Sequence, residues 1–198
     1  VNFMTSTNIA DDLGDQIRLG EFSNFVVKPL ELWKTQFVKM VSEKIGFLLF
    51  VLPVYFVILS IVSKSFTIEY GNLNSILLFL IFVIMGTLLN FFIDMMIAPL
   101  AFWFDEVWSF KHLKKILGLF LGGMAFPITI ASGFYRQLID FSPFKYVTYV
   151  PIAFLTGKLG YSDLLYSLAQ LLIWIVVFIV LGRTIFYFGI KSYSANGN

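Results

Sequence analysis

The sequence contains no cysteine and a single histidine among its 198 residues. Without cysteine the chain has no disulfide framework and no thiolate chemistry, and one histidine removes most His-based metal and triad sites. Charged residues make up 13% of the chain, about half of the ~25% typical of a soluble domain. The net charge of +2 is too small to favour nucleic acid as a partner.

What the sequence has in abundance is apolar side chains, at 59% of residues, with 24 phenylalanines. A soluble domain of this size needs a polar coat that the chain lacks. The composition therefore predicts an all-α, polytopic membrane protein, folded as one transmembrane domain over residues 1–198. A helix needs about 20 apolar residues to cross the bilayer core. Four such helices are predicted, at about 45–63, 72–97, 115–132 and 163–187.

Loop charges predict the orientation of the four spans. Ten of the fourteen Lys and Arg residues fall in the segments before the first span, between the second and third, and after the fourth. The opposite side holds the other four, which are Lys64, Arg136, Lys145 and Lys158. Both ends of the chain, including the tail 188–198, are therefore expected in the cytoplasm.

The polar segment 5–20 has the pattern of an amphipathic helix. Its apolar stripe is Ile9, Leu13 and Ile17, and the acids off the stripe are Asp11, Asp12 and Asp15. Segment 29–44 predicts a second amphipathic helix, with Trp and Phe on one face and Lys on the other. A helix of that kind lies in the membrane interface. The alternative is a plain extension of the first span, and the interfacial interpretation is favoured.

Glycine and proline interrupt the chain repeatedly from the third span onward. The interrupting positions include Gly122, Gly123, Pro127, Pro143 and Gly157, with Phe144 among the apolar residues between them. Non-helical backbone at membrane depth persists only where protein buries it or a watery cavity lines it. Residues 133–160 are therefore expected to form a broken, re-entrant segment at the outer face, rather than an ordinary extracellular loop.

Asp94 is the one acid near the interior of a predicted span. An ionisable group inside the membrane is a functional hypothesis by default. Asp94 lies about 20 residues, or ~30 Å, along its helix and thus near the inner interface. An interfacial carboxylate paired with a neighbouring cation is the favoured alternative. Thr87, Asn90 and Gln170, polar residues inside the spans, favour burial against other helices.

Four blocks in order along the chain resemble the permease subunit of ABC-2 type (export-type) ABC transporters. They are Gly20–Glu21 with Val27–Lys28–Pro29; Ala101–Asp105 with Trp108; Leu121–Gly123 and Pro127 with Ser142–Pro143–Phe144, Pro151 and Gly157; and the tail Ser192–Gly197. Members of that family have six spans, so the resemblance implies a copy lacking the first two.

The resemblance also implies partners and roles. The permease would form the translocation path in the plasma membrane as a homodimer or heterodimer, with ATP and magnesium bound by separate ATPase subunits. It implies no catalysis and no cofactor in this chain. The helix over 5–20 would be the ATPase-coupling helix, with Ile9, Leu13 and Ile17 seated in an ATPase groove. Its acids Asp11, Asp12 and Asp15 would meet basic residues at the rim.

Two other functions stay open from the residues alone. One is an ATP-independent secondary carrier, although internal repeats with paired broken helices are expected of a carrier and only one broken region is found here. The other is a structural membrane protein without a transport role. Motifs for serine hydrolases and for ATP binding are absent from the sequence.

Overall fold

The computed structural model describes residues 1–18, 29–62, 73–104 and 106–195, and every regular element in these ranges is helical. The α-helices are α1 Asn2–Thr5, α2 Ile9–Arg18, α3 Pro29–Val62, α4 Leu73–Ile97, α5 Trp108–Leu121, α6 Gly133–Phe141, α7 Tyr149–Leu155 and α8 Tyr161–Ala195. Short 3-10 helices lie at Ala98–Phe102, Ile128–Ile130 and Phe144–Tyr146. The predicted all-helical class is confirmed for this part of the chain.

Two helical stretches are long and apolar enough to cross a membrane, within the ranges just given. They run over Asn74–Phe102 and Ser162–Ser192. These stretches overlap the spans predicted at 72–97 and 163–187. The last helix continues to Ala195, so the segment expected as a tail from residue 188 is still helical there. The final tail residues 196–198 lie outside the described part.

Helix α3 is a single helix of 34 residues, so it measures about 51 Å at 1.5 Å per residue. It contains both the segment predicted to lie in the interface, 29–44, and most of the span predicted over 45–63. Segment 29–44 is thus continuous with the predicted span, as in the alternative of a helical extension, whereas the interfacial interpretation was favoured. Only Gly46 near the expected boundary is a poor helix former, and one glycine costs too little, about 1 kcal/mol, to end a helix.

Helix α5 corrects the third predicted span. It begins at Trp108 and ends at Leu121, whereas a continuous helix was expected over 115–132. Gly123 has a φ of 80°, which an L-residue with a side chain rarely adopts, and the chain turns there. The 14 residues of α5 extend about 21 Å, less than the ~30 Å of a hydrocarbon core. A count of apolar residues does not reveal the end of the helix at Leu121, because the residues on both sides of it are apolar.

Helix α4 is the centre of the packing, because α8, α7 and α2 all contact it. Two glycines allow the backbone of α4 to meet other parts of the chain closely. A Cβ on Gly182 of α8 would lie 3.3 Å from the Met95 carbonyl oxygen of α4. A Cβ on Gly86 of α4 would lie 3.4 Å from the Cα of Val147. Backbones that meet this closely pack many side chains between the helices.

Polar groups of the spans find partners within this chain. The Tyr146 hydroxyl donates to Oε1 of Gln170 at 2.7 Å, and the Gln170 amide donates to the Tyr166 hydroxyl at 2.6 Å. The Thr87 hydroxyl donates to the Val83 carbonyl at 2.8 Å. Gln170 and Thr87 therefore have hydrogen-bond partners within this chain.

Candidate functional site

The apolar stripe of α2 is buried against the rest of this chain. Ile9, Leu13 and Ile17 are 2%, 0% and 3% exposed. They share one apolar cluster with residues from α3, α4, the following 3-10 helix and α8, namely Leu32, Met40, Phe91, Met95, Ala98 and Phe186. The stripe is thus covered by this chain's own residues, whereas it was expected to seat in an ATPase groove. An amphipathic stripe indicates burial but does not identify the covering surface.

Gly14 lets α2 lie close to the chain just before α5. A Cβ at this position would come within 2.6 Å of Cγ2 of Val107. Val107 is itself buried. The structure gives it a packing role, since any larger residue must displace Val107.

Two of the three acids of α2 pair with lysines of this chain. Asp12 accepts from Lys39 of α3 at 2.5 Å, and Asp11 pairs with Lys111 of α5. Burial, followed by the charges of the neighbouring Lys114 and Lys115, lowers the pKa of Lys111. These two acids therefore hold α2 to the bundle, whereas they were expected at the rim of a partner.

The third acid of α2 points outward. Asp15 pairs only loosely with Arg18, at 3.5 Å, and their side chains are 63% and 46% exposed. Both border a groove of about 450 Å³ between α2 and the start of α5. Glu106 and Trp108 complete its outer edge, and Trp108 is 60% exposed. This groove is an accessible part of the α2 surface.

Asp94 is the buried centre of the site. It is 1% exposed, and its Oδ1 accepts from Nζ of Lys114 at 2.5 Å. Its Oδ2 accepts from the hydroxyl of Thr7, which is also buried. The pairing cation expected for Asp94 is thus Lys114, twenty residues further along the chain. A buried carboxylate needs such partners, because an isolated charge in an apolar interior is strongly unfavourable.

Thr7 is the residue that sequence reasoning missed. Nothing in the spacing of Thr7 and Asp94, 87 residues apart, connects the two. Thr7 and Lys114 together link the segment before α2, the helix α4 and the helix α5 at one carboxylate.

Some of the six residues predicted for the outer segment come together. A Cβ on Gly122 would lie 3.3 Å from the Phe144 carbonyl oxygen, so the end of α5 meets the 3-10 helix that starts at Phe144. Pro143 is buried beside it. Pro127 is exposed, and Gly157, with a φ of 68°, lies in the turn after α7 with open space around it.

The chemistry of the described residues is that of ion pairing and packing. No group of three or more metal-binding side chains occurs among them. His112 lies on α5, where its ring is tilted by 35° against that of Trp108, with centroids 3.8 Å apart. The motif residues at 20–28 and Asp105 lie outside the described residues.

A family model described as "ABC-2 family transporter protein" matches residues 1–197 of the chain. The match covers nearly the whole sequence and includes α2, the Asp94 centre and the outer segment. No curated protein matches the chain. No solved structure matches it either.

Proposed function

Because the chain belongs to the ABC-2 family of transporter proteins, we propose that it is the permease subunit of an ATP-driven exporter. The chain is a membrane transport component, and its apolar helices fit that setting. In the proposal, a separate ATPase subunit binds ATP and magnesium and docks on the surface that α2 presents. The observation that carries the proposal is the groove beside α2.

The groove has the properties of a docking surface for a protein. It combines acidic groups, Asp15 and Glu106, with a large exposed aromatic ring, Trp108. Exposed aromatic side chains at a rim of charges are typical of protein interfaces. The helix that bears it is fixed from behind by a buried stripe and two ion pairs. A force applied at the groove would therefore act on the bundle, which coupling to an ATPase requires.

The docking side also fits the proposed orientation. Lys39 and Lys111 pair with acids of α2, and Lys114 pairs with Asp94 of α4. A concentration of lysine marks the cytoplasmic side of a membrane protein. We place both ends of this chain in the cytoplasm and the membrane as the plasma membrane. The path itself is proposed to form between two permeases, identical or different, within the lipid bilayer.

The test is co-purification from the natural host in mild detergent, with identification of proteins that accompany the chain. The expected partner is stoichiometric, carries a Walker A motif and hydrolyses ATP. Asp15→Lys and Trp108→Ala should each abolish the association, because both side chains border the groove. Lys158→Ala is the matched control, since this exposed lysine follows α7 in the outer segment.

Two results would contradict the proposal. Recovery of the chain without an ATPase would contradict the proposal that it is part of an ATP-driven exporter. An ATPase that still binds both groove variants would place the docking surface elsewhere. Leu13→Asp is unsuitable for this test, because Leu13 is fully buried and the change would release α2 from its own bundle.

A further inference from the structure

Helix α5 is attached to the protein mainly through its two ends. None of its side chains from Trp108 to Leu121, all of which the structure describes, is buried. Several large apolar residues in its middle are exposed, such as Ile116 at 52% and Leu119 at 42%. A helix embedded in a core is fixed along its length by packing. The position of α5 instead depends on the contacts at each end.

The first end of α5 is joined to α2 and α4 by charge. Lys111 pairs with Asp11 of α2, and Lys114 pairs with the buried Asp94 of α4. Val107, immediately before the helix, packs on Gly14 of α2. Breaking the Lys114 contact would leave a buried carboxylate without its cation, which is strongly unfavourable. This end therefore follows any movement of α2.

The second end of α5 is joined to the broken outer segment. A Cβ on Gly122 would lie 3.3 Å from Oγ1 of Thr148, and one on Gly118 would lie 3.6 Å from the ring of Phe144. The Tyr135 hydroxyl of α6 donates to the Phe120 carbonyl at 2.8 Å. The close approach at these glycines makes the outer segment follow this end of the helix.

We propose that α5 is a rigid link that transmits displacement of α2 to the outer segment, with Asp94 and Lys114 as its positioning residues. The helix keeps its length through its internal hydrogen bonds, so it moves as a body about its two end contacts. This inference rests on the proposed function, because the displacement of α2 comes from the docked ATPase.

The test measures movement at each end of the link separately. The chain lacks cysteine, so a cysteine at Gln16 reports on α2 and a cysteine at Gln137 reports on α6. The purified permease–ATPase complex is treated with a maleimide, with and without ATP and vanadate, and the modification rates are compared. In the parent protein, nucleotide should change the rate at both positions.

Lys114→Gln is expected to abolish the nucleotide response at Gln137→Cys and to leave that at Gln16→Cys. Lys114→Arg should restore the outer response, because it keeps the cation. Lys115→Gln is the matched control, an exposed lysine next along the same helix. Phe144→Ala should produce the same loss from the opposite end, with the charge pairs intact. If the Lys114→Gln complex does not assemble, the Phe144→Ala variant tests the link instead.

The outcomes separate the two proposals. A parent complex without ATPase, or without a response at Gln16→Cys, overturns the proposed function. A response at α2 with an unchanged outer response in both Lys114→Gln and Phe144→Ala overturns the link. If Lys114 only stabilised the fold, Lys114→Gln would lower the yield of the complex. It would not abolish the nucleotide response at Gln137→Cys while leaving the response at Gln16→Cys.

Discussion

Leu13→Ala tests whether the buried stripe fixes α2 to the bundle. Leu13 is fully buried in a cluster with Ile9, Ile17 and residues of four other elements. Truncating a buried leucine to alanine costs about 2–5 kcal/mol, from lost apolar contact and the cavity left behind. Most of that loss should fall on the attachment of α2, because the longer helices α4 and α8 keep their mutual contacts.

Hydrogen exchange of the α2 amides measures this loss directly. Exchange that proceeds through release of α2 should accelerate by roughly 30-fold to 4,000-fold, since about 1.4 kcal/mol corresponds to a factor of ten. Amides of α4 and α8 should change far less. Asp15→Ala is the control on the same helix, because its side chain is 63% exposed and lies 3.5 Å from Arg18 in an exposed ion pair. Equal exchange rates in the two variants would refute the assignment of the stripe to this chain's own core.

Two further predictions concern the contacts around α2. Gly14→Ala should lower the melting temperature in detergent, because the added Cβ would come within 2.6 Å of Val107. Gly46→Ala should leave the melting temperature unchanged or raise it, because none of the described residues lies within 4 Å of the added Cβ. Equal shifts in melting temperature for the two variants would contradict the close contact at Gly14. Asp94→Asn should cost about 3–5 kcal/mol by leaving the Lys114 ammonium without its anion. Adding Lys114→Gln should recover part of that cost in denaturant unfolding, and strict additivity would show that the two side chains do not interact.

The sequence predicted where helix α2 lies better than it predicted which surface covers its apolar stripe. The stripe of Ile9, Leu13 and Ile17 placed a helix in the segment where the structure has one, over Ile9–Arg18. The spacing of apolar residues shows which face of a helix is apolar. That spacing is the same whether the face packs on a partner's groove or on the chain's own bundle. The choice between them depends on Phe91 and Phe186, which are distant in sequence from α2.

The ion pairs show the same limit for charge. Asp94 was singled out because a carboxylate near a span interior is unusual. Its two partners, Thr7 and Lys114, lie on different elements and were not distinguishable from other polar residues by spacing. The end of the third predicted span was misplaced for a local reason. Hydropathy averages over a window of residues, and Gly122–Gly123 changes the backbone conformation without changing the apolar content of that window.

The continuity of α3 restricts how the length of this chain can vary. A residue inserted near Lys44 would turn everything beyond it by about 100° and advance it by about 1.5 Å. The buried face at Leu32, Gln36 and Met40 would then no longer be in register with the remainder of the helix, up to Val62. Insertions and deletions should accordingly be tolerated between helices and rejected inside this one, so the number of residues from Pro29 to Val62 behaves as a fixed dimension of the protein.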